Sequence, residues 1–168
     1  ERDEARDIVV LSDGTYAVVG AAGTGPTRRP FVLRVNARGD QAPWQGTTSA
    51  LLLPSCMPSS SGFLLGVATD RRGNLYAAGT CGLSSSMHEF PGDTTVWAFT
   101  PTGSPIAPFG DGLVPGRYRT NLSAFTDQPD DVACDVLVDA ESRVLLSGMR
   151  RTGDAAWQSY TLRLNAVP

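Results

Sequence analysis

The sequence predicts an all-β fold built of three antiparallel repeats. Three observations predict it: an eight-residue phrase written three times, short apolar runs parted by turn residues, and no helical periodicity. The phrase reads DGTYAVVG (Asp13 to Gly20), RGNLYAAG (Arg72 to Gly79) and ESRVLLSG (Glu141 to Gly148). Its closing glycines stand 59 and 69 residues apart, a period that suits one supersecondary unit with loops of variable length. The apolar runs are rich in Val, Leu, Tyr and Phe and too short for helices, and no ten-residue stretch keeps an i, i+3, i+4 apolar spacing. Eighteen Gly and twelve Pro among 168 residues, against the roughly 12% usual for the two together, supply many turns.

Taken in chain order, each unit opens on an apolar strand: ARDIVVL from Ala5, LLGVATD from Leu64 and ACDVLVD from Ala133. A turn follows. Gly14 in Asp13-Gly14 and Gly73 in Arg72-Gly73 take the positive φ that a tight hairpin needs, whereas Ser142 stands where glycine is expected and predicts a looser or different turn. The second strands close on Gly20, Gly79 and Gly148, read as structural glycines at strand ends, where a missing side chain permits a bend or close backbone approach. Third strands follow in FVLRVNARG (Phe31 to Gly39), VWAFTPTG (Val96 to Gly103) and YTLRLNAVP (Tyr160 to Pro168). Fourth strands are expected near Thr47 to Leu53 and Arg117 to Leu122, each after an aromatic-Gly corner, Trp44 to Gly46 and Phe109-Gly110. The third unit lacks this outer strand. One repeat domain over 1–168 results, its units covering about 5–53, 63–122 and 132–168. Four short antiparallel strands at this period are the pattern of a β-propeller blade, and the first strand of each would line a central channel. Three blades are fewer than the four to eight that close a ring, so part of a propeller is expected, completed by another propeller segment or by identical protomers.

The succession DG-polar-apolar-apolar-apolar-G, variable loop, LRVN-x-x-G and aromatic-Gly corner resembles the delta-60 family of bacterial β-propeller repeats. DGTYAVVG with FVLRVNARG carries the likeness best, then SRVLLSG with YTLRLN, then RGNLYAAG with VWAFTPTG. The pattern departs at Arg72 and Glu141, where the family's turn acid sits or shifts, and at Thr100, where the family has Asn. The resemblance implies a fold. It brings no catalytic signature and no cofactor.

Composition narrows the function classes. The net charge is −3, and the fourteen cations are dispersed arginines, singly or in pairs such as Arg28-Arg29, so no basic stripe marks a nucleic-acid partner. No apolar run approaches the ~20 residues of a membrane-spanning helix. No signal-peptide pattern opens the chain, so a leader, had there been one, is expected to be removed.

Individual candidates point mostly to scaffold. Asp7 and Asp135 occupy equivalent first-strand positions, with Gly66 between them in the middle unit, and are expected to solvate inner strand ends rather than hold a cation, because the D-x-D-x-D-G spacing of calcium loops is absent. The cluster Asp127 to Asp131 is the best loop for a weak cation site and otherwise reads as a solvated connection. The one histidine, His88, sits beside Glu89 in the long loop of the middle unit without an evident nucleophile or further zinc ligands. Trp44, Trp97 and Trp157 fall in or beside repeat strands and are expected to pack between blades. Asn121-Leu122-Ser123 fits the glycosylation sequon, which is without meaning in a bacterial chain. Cys56 and Cys81 lie at loop ends of one unit, and a disulfide between them fits a secreted or cell-surface protein with Cys134 left as a thiol; the alternative is three reduced thiols in a cytosolic chain.

The loops joining second to third strands, Ala21 to Pro30, Gly82 to Thr94 and Met149 to Ala156, share one face in such a fold. The expected function is therefore a non-catalytic binding or surface-interaction module that presents its ligand to these loops. The alternative is an enzyme whose active site at the channel mouth is shared with residues of other blades or chains.

Overall fold

The computed structural model describes residues 3–24, 28–44, 48–54, 61–82, 92–110, 112–122, 130–153 and 156–165. They form eleven strands, with no helix among the described residues: β1 (Glu4–Val10), β2 (Tyr16–Ala22), β3 (Arg29–Val35), β4 (Ala50–Leu52), β5 (Gly62–Thr69), β6 (Leu75–Cys81), β7 (Asp93–Phe99), β8 (Arg117–Thr120), β9 (Asp131–Val138), β10 (Val144–Arg151) and β11 (Trp157–Leu164). Sequential neighbours pair antiparallel in three sheets: sheet I β1-β2-β3-β4, sheet II β5-β6-β7-β8 and sheet III β9-β10-β11.

One turn is used five times. At Gly14, Gly39, Gly73, Gly103 and Ser142 the residue has positive φ, and its N–H donates to the carbonyl three residues back. The residue that gives this carbonyl also donates its own N–H to the residue after the positive-φ position, as in Leu11 to Thr15 and Asp139 to Arg143. Ser142, at φ 60°, corrects the expectation of a looser turn: the backbone bonds match those of its glycine counterparts. In the turns that carry Arg72 and Glu141, the first turn residue is the acid that caps the turn. Asp70 Oδ1 accepts the Arg72 and Asn74 N–H groups at 2.9 and 2.8 Å, and Asp139 Oδ1 accepts those of Glu141 and Arg143 at 3.0 and 2.8 Å.

The phrase glycines sit inside their strands rather than at the ends, which corrects the sequence reading. Each faces a β-bulge in the first strand of its sheet, where Arg6, Leu65 or Cys134 is left out of register. A Cβ on Gly20, Gly79 or Gly148 would lie 1.9, 2.0 or 2.1 Å from the carbonyl oxygen of Glu4, Phe63 or Val132. That approach admits no side chain.

The sheets pack front to back, twice in the same way. The front of sheet I, with Ala17, Val19, Val32 and Trp44, meets the back of sheet II, with Val67, Leu75, Ala77, Trp97 and Phe99. The front of sheet II, with Tyr76, Ala78, Val96 and Ala98, meets the back of sheet III, with Val136, Val144, Leu146 and Leu162. Covered on both faces, β6 and β7 are buried at every position. Two hydrogen bonds repeat the seam: Gly62 N–H to Arg28 carbonyl at 3.0 Å, and Asp131 N–H to Gly92 carbonyl at 2.7 Å. Asp7 adds a stitch, its Oδ1 on the Ile8 N–H and its Oδ2 on the Val67 N–H of the next sheet, both at 2.8 Å. It ties sheet to sheet, beyond the solvating role expected of it.

Trp44 and Trp97 are buried, but Trp157, the first residue of β11, is 43% exposed; the expectation that it packs between sheets is corrected, since no described element covers the front of sheet III. Cys81 is disulfide-bonded and Cys134 is a free thiol. Cys56, the expected partner of Cys81, lies outside the described residues, as do His88, Glu89, Ser123 and Asp127 to Pro129.

Candidate functional site

The connections β2–β3, β6–β7 and β10–β11 leave their sheets at the ends opposite the five tight turns, and their roots rest on charged and polar side chains that are half-buried or buried. Arg28 pairs with Glu4 and lies 5.7 Å over the Phe63 ring. At the root of the β6–β7 connection, Asp93 pairs with Arg119 of β8, while Cys81 directly opposite carries the disulfide. Its second carboxylate oxygen, Oδ1, is buried without a hydrogen-bond partner. At the root of β10–β11, Arg151 Nη1 donates to Asp130 Oδ2 at 2.8 Å and its Nε to the Gly153 carbonyl at 3.0 Å.

Asp130 and Asp131 are 1% and 0% exposed, so the solvated connection expected around them is corrected: Arg151 neutralises one, and the other accepts the Leu122 N–H. The Thr80 hydroxyl donates to the Asp131 carbonyl at 2.9 Å, and Thr94 and Tyr160 join their hydroxyls across sheets II and III. Burial pushes the Tyr160 phenol up to about 12. Charges are buried in proteins when paired and hydrogen-bonded. Here they anchor the loop roots.

Burial first, and then Asp135, push the Cys134 thiol above its ordinary 9.0, the reverse of what an attacking thiolate needs. Among the described residues no group of three His, Cys, Asp or Glu side chains is placed to hold a metal.

Concavities among the described residues lie elsewhere too. A groove of about 440 Å³ between β4 and sheet II is lined by apolar residues including Leu51, Leu53, Trp97 and Phe99. A second, of about 260 Å³, lies among the tight turns around Arg34 and Trp44. Arg34 there is committed: it pairs with Asp13, donates to Thr15 Oγ1 at 3.0 Å and the Pro43 carbonyl at 2.7 Å, and lies 5.4 Å over Trp44.

Gly14 and Gly73 stand in turns, Gly20, Gly79 and Gly148 in strand interiors, and none lines the loop face. What the sequence reading missed is the pairing of Asp93 with Arg119 and Asp130 with Arg151, partners 26 and 21 residues apart. The only signal was the presence of acids and arginines where loops meet apolar strands. The chain matches no protein-family model and no curated protein.

Proposed function

We propose that the chain is a non-catalytic binding or surface-interaction module, built on β-propeller repeats of the delta-60 kind, that presents its ligand to the loops joining second and third strands. Secretion or display at a cell surface suits the disulfide at Cys81. The observation that carries the reading is the bed beneath those loops: one buried ion pair, one half-buried ion pair, the disulfide and the unpartnered Asp93 Oδ1 at one loop root. A fixed root holds a variable loop in one geometry, which lowers the ordering cost of binding. A buried acceptor without a donor is a polar contact left open for a ligand or a water.

Glycan and peptide arrays probed with the 168-residue chain test this. Replacing residues 83–91 by a Gly-Ser linker of equal length should abolish the hits, whereas replacing Ala37-Arg38, in a tight turn at the far end, should leave them. Binding that survives replacement of all three loop tips would overturn the assignment, and so would chemical turnover of a bound compound.

A further inference from the structure

Two sheet faces are left uncovered by the described residues, and they are the two that the interior seams would match to each other. By register, the back of sheet I carries Ile8, Val10, Tyr16, Val18, Leu33 and Leu52, in the positions through which sheet II receives sheet I and sheet III receives sheet II. Ile8, Val10 and Leu52 are 55%, 58% and 53% exposed. The front of sheet III carries Leu137 at 53% exposure, Met149 at 36%, and a depression of about 260 Å³ around Leu137, Leu145, Ser147 and Thr161. The back of sheet I is an apolar sheet face open to water, the mark of a contact surface, and the front of sheet III sets Asp135, Ser147, Thr161 and Arg163 among its apolar residues.

We propose that the front of sheet III in one copy of the chain docks on the back of sheet I in a second copy, and the reverse, so that two chains close a six-sheet ring. This rests on the propeller reading above. The occupant follows from continuity. Both interior seams use one mode, in which the first three strands of one sheet cover the first strand of the next, and continuing it past sheet III calls for a back face that this same chain exposes. For the 168-residue stretch, with its three sheets, copy number follows from closure: propellers close with about four to eight blades, and two copies supply six.

The mode also names backbone atoms. The bonds from Gly62 N–H to Arg28 carbonyl and from Asp131 N–H to Gly92 carbonyl have, by register, one further counterpart: Asp3 N–H of one copy to the Trp157 carbonyl of the other. Trp157 stands on the edge so covered. The contact carries one local penalty. Where Gly66 lies against Asp135, the closing seam sets Asp135 against Asp7 of the second copy, carboxylate beside carboxylate. Like charges at such range repel.

Light scattering on the purified 168-residue chain at 100 µM should give twice 17.8 kDa. Ile8→Asp and Leu137→Asp alter side chains that are exposed within one chain, so each variant should keep the unmodified circular dichroism yet fall to 17.8 kDa. Mixed one to one, the two variants should regain a dimer, because one of the two seams then joins an unaltered sheet III to an unaltered sheet I. Asp135→Asn, which keeps an oxygen for the Val136 N–H, should tighten association severalfold. A mass of 17.8 kDa for the unmodified chain would overturn the proposal. So would dissociation by only one of the two Asp variants, the mark of a face meeting its own copy. A tandem fusion of two copies separates this failure from that of the propeller reading: a compact six-sheet chain with one unfolding transition keeps the ring and rejects only the self-association, whereas two independent halves reject both.

Discussion

Ser142 holds φ 60° in a turn that elsewhere uses glycine, at Gly14, Gly39, Gly73 and Gly103. An L-residue in this left-handed region pays roughly 1–2 kcal/mol in steric strain, and glycine gives back about 0.5–1 through its freer unfolded chain. Ser142→Gly should therefore raise stability by about 0.5–1 kcal/mol, read as a higher urea midpoint at unchanged slope. A lower midpoint would mean that the side chain supplies something the backbone geometry does not reveal. The phrase glycines behave differently, because their constraint is space. Gly79→Ala places a methyl 2.0 Å from the Phe63 carbonyl oxygen, where only backbone can yield, and should cost about 3 kcal/mol or more. Gly14→Ala meets nothing within 4 Å and should cost only the φ strain less the unfolded-chain freedom that glycine gives up, about 0.5–1 kcal/mol. Equal losses at the two positions would show that conformation alone, and not the bulge opposite, demands glycine in the phrase. The sequence made every one of these glycines visible as scaffold, since a residue repeated at one place in a pattern needs a backbone reason. It left the reason open: a bulge is a matter of cross-strand register, and no local spacing writes it down.

At the scale of elements, strands and their order were legible because alternation, turn chemistry and the repeated phrase agreed with one another. The fourth strands, expected near Thr47 to Leu53 and Arg117 to Leu122, are the shorter β4 and β8, trimmed because only a few residues find partners on the third strand. The buried charges were not legible. Asp130 and Asp131 read as loop acids by composition, and only the meeting of β9 and β10 with β7 takes them out of water. A pair so buried is costly to break from one side and cheap to replace from both. Arg151→Met alone should destabilise by about 3–5 kcal/mol, since it takes the Arg151 charge from a carboxylate at 1% exposure. Arg151→Met with Asp130→Leu should recover most of that loss. A urea-unfolding double-mutant cycle measures the difference, and additive losses would show that the two side chains act independently.

In the whole molecule, the seam between sheets II and III holds two phenols that make it sensitive to alkali. Tyr76 lies on the front of sheet II and Tyr160 on the back of sheet III, hydroxyl to hydroxyl with Thr94. Burial pushes both to about 12, and at Tyr76 the Asp70 carboxylate adds to it by charge and by accepting the phenol hydrogen at 3.4 Å. In the unfolded chain both ionise near 10. Between these values the unfolded state releases protons that the folded state keeps, so raising the pH favours unfolding. The stabilisation is fully present below pH 10 and is lost as the pH rises through about 12. Because sheet II is covered on both faces, opening this seam exposes the interior of the chain rather than a margin. Phenolate absorbance from the two buried residues should accordingly rise together with loss of the far-ultraviolet sheet signal, in one transition approaching pH 12. Tyr76→Phe should shift that transition upward by removing the ionisable group and its repulsion from Asp70, and Tyr160→Phe should do so less, because it also removes the bond to Thr94. If all four tyrosines of the chain ionise near pH 10 with the sheet signal intact, the seam is open to solvent and the front-to-back packing of sheets II and III is not the one described.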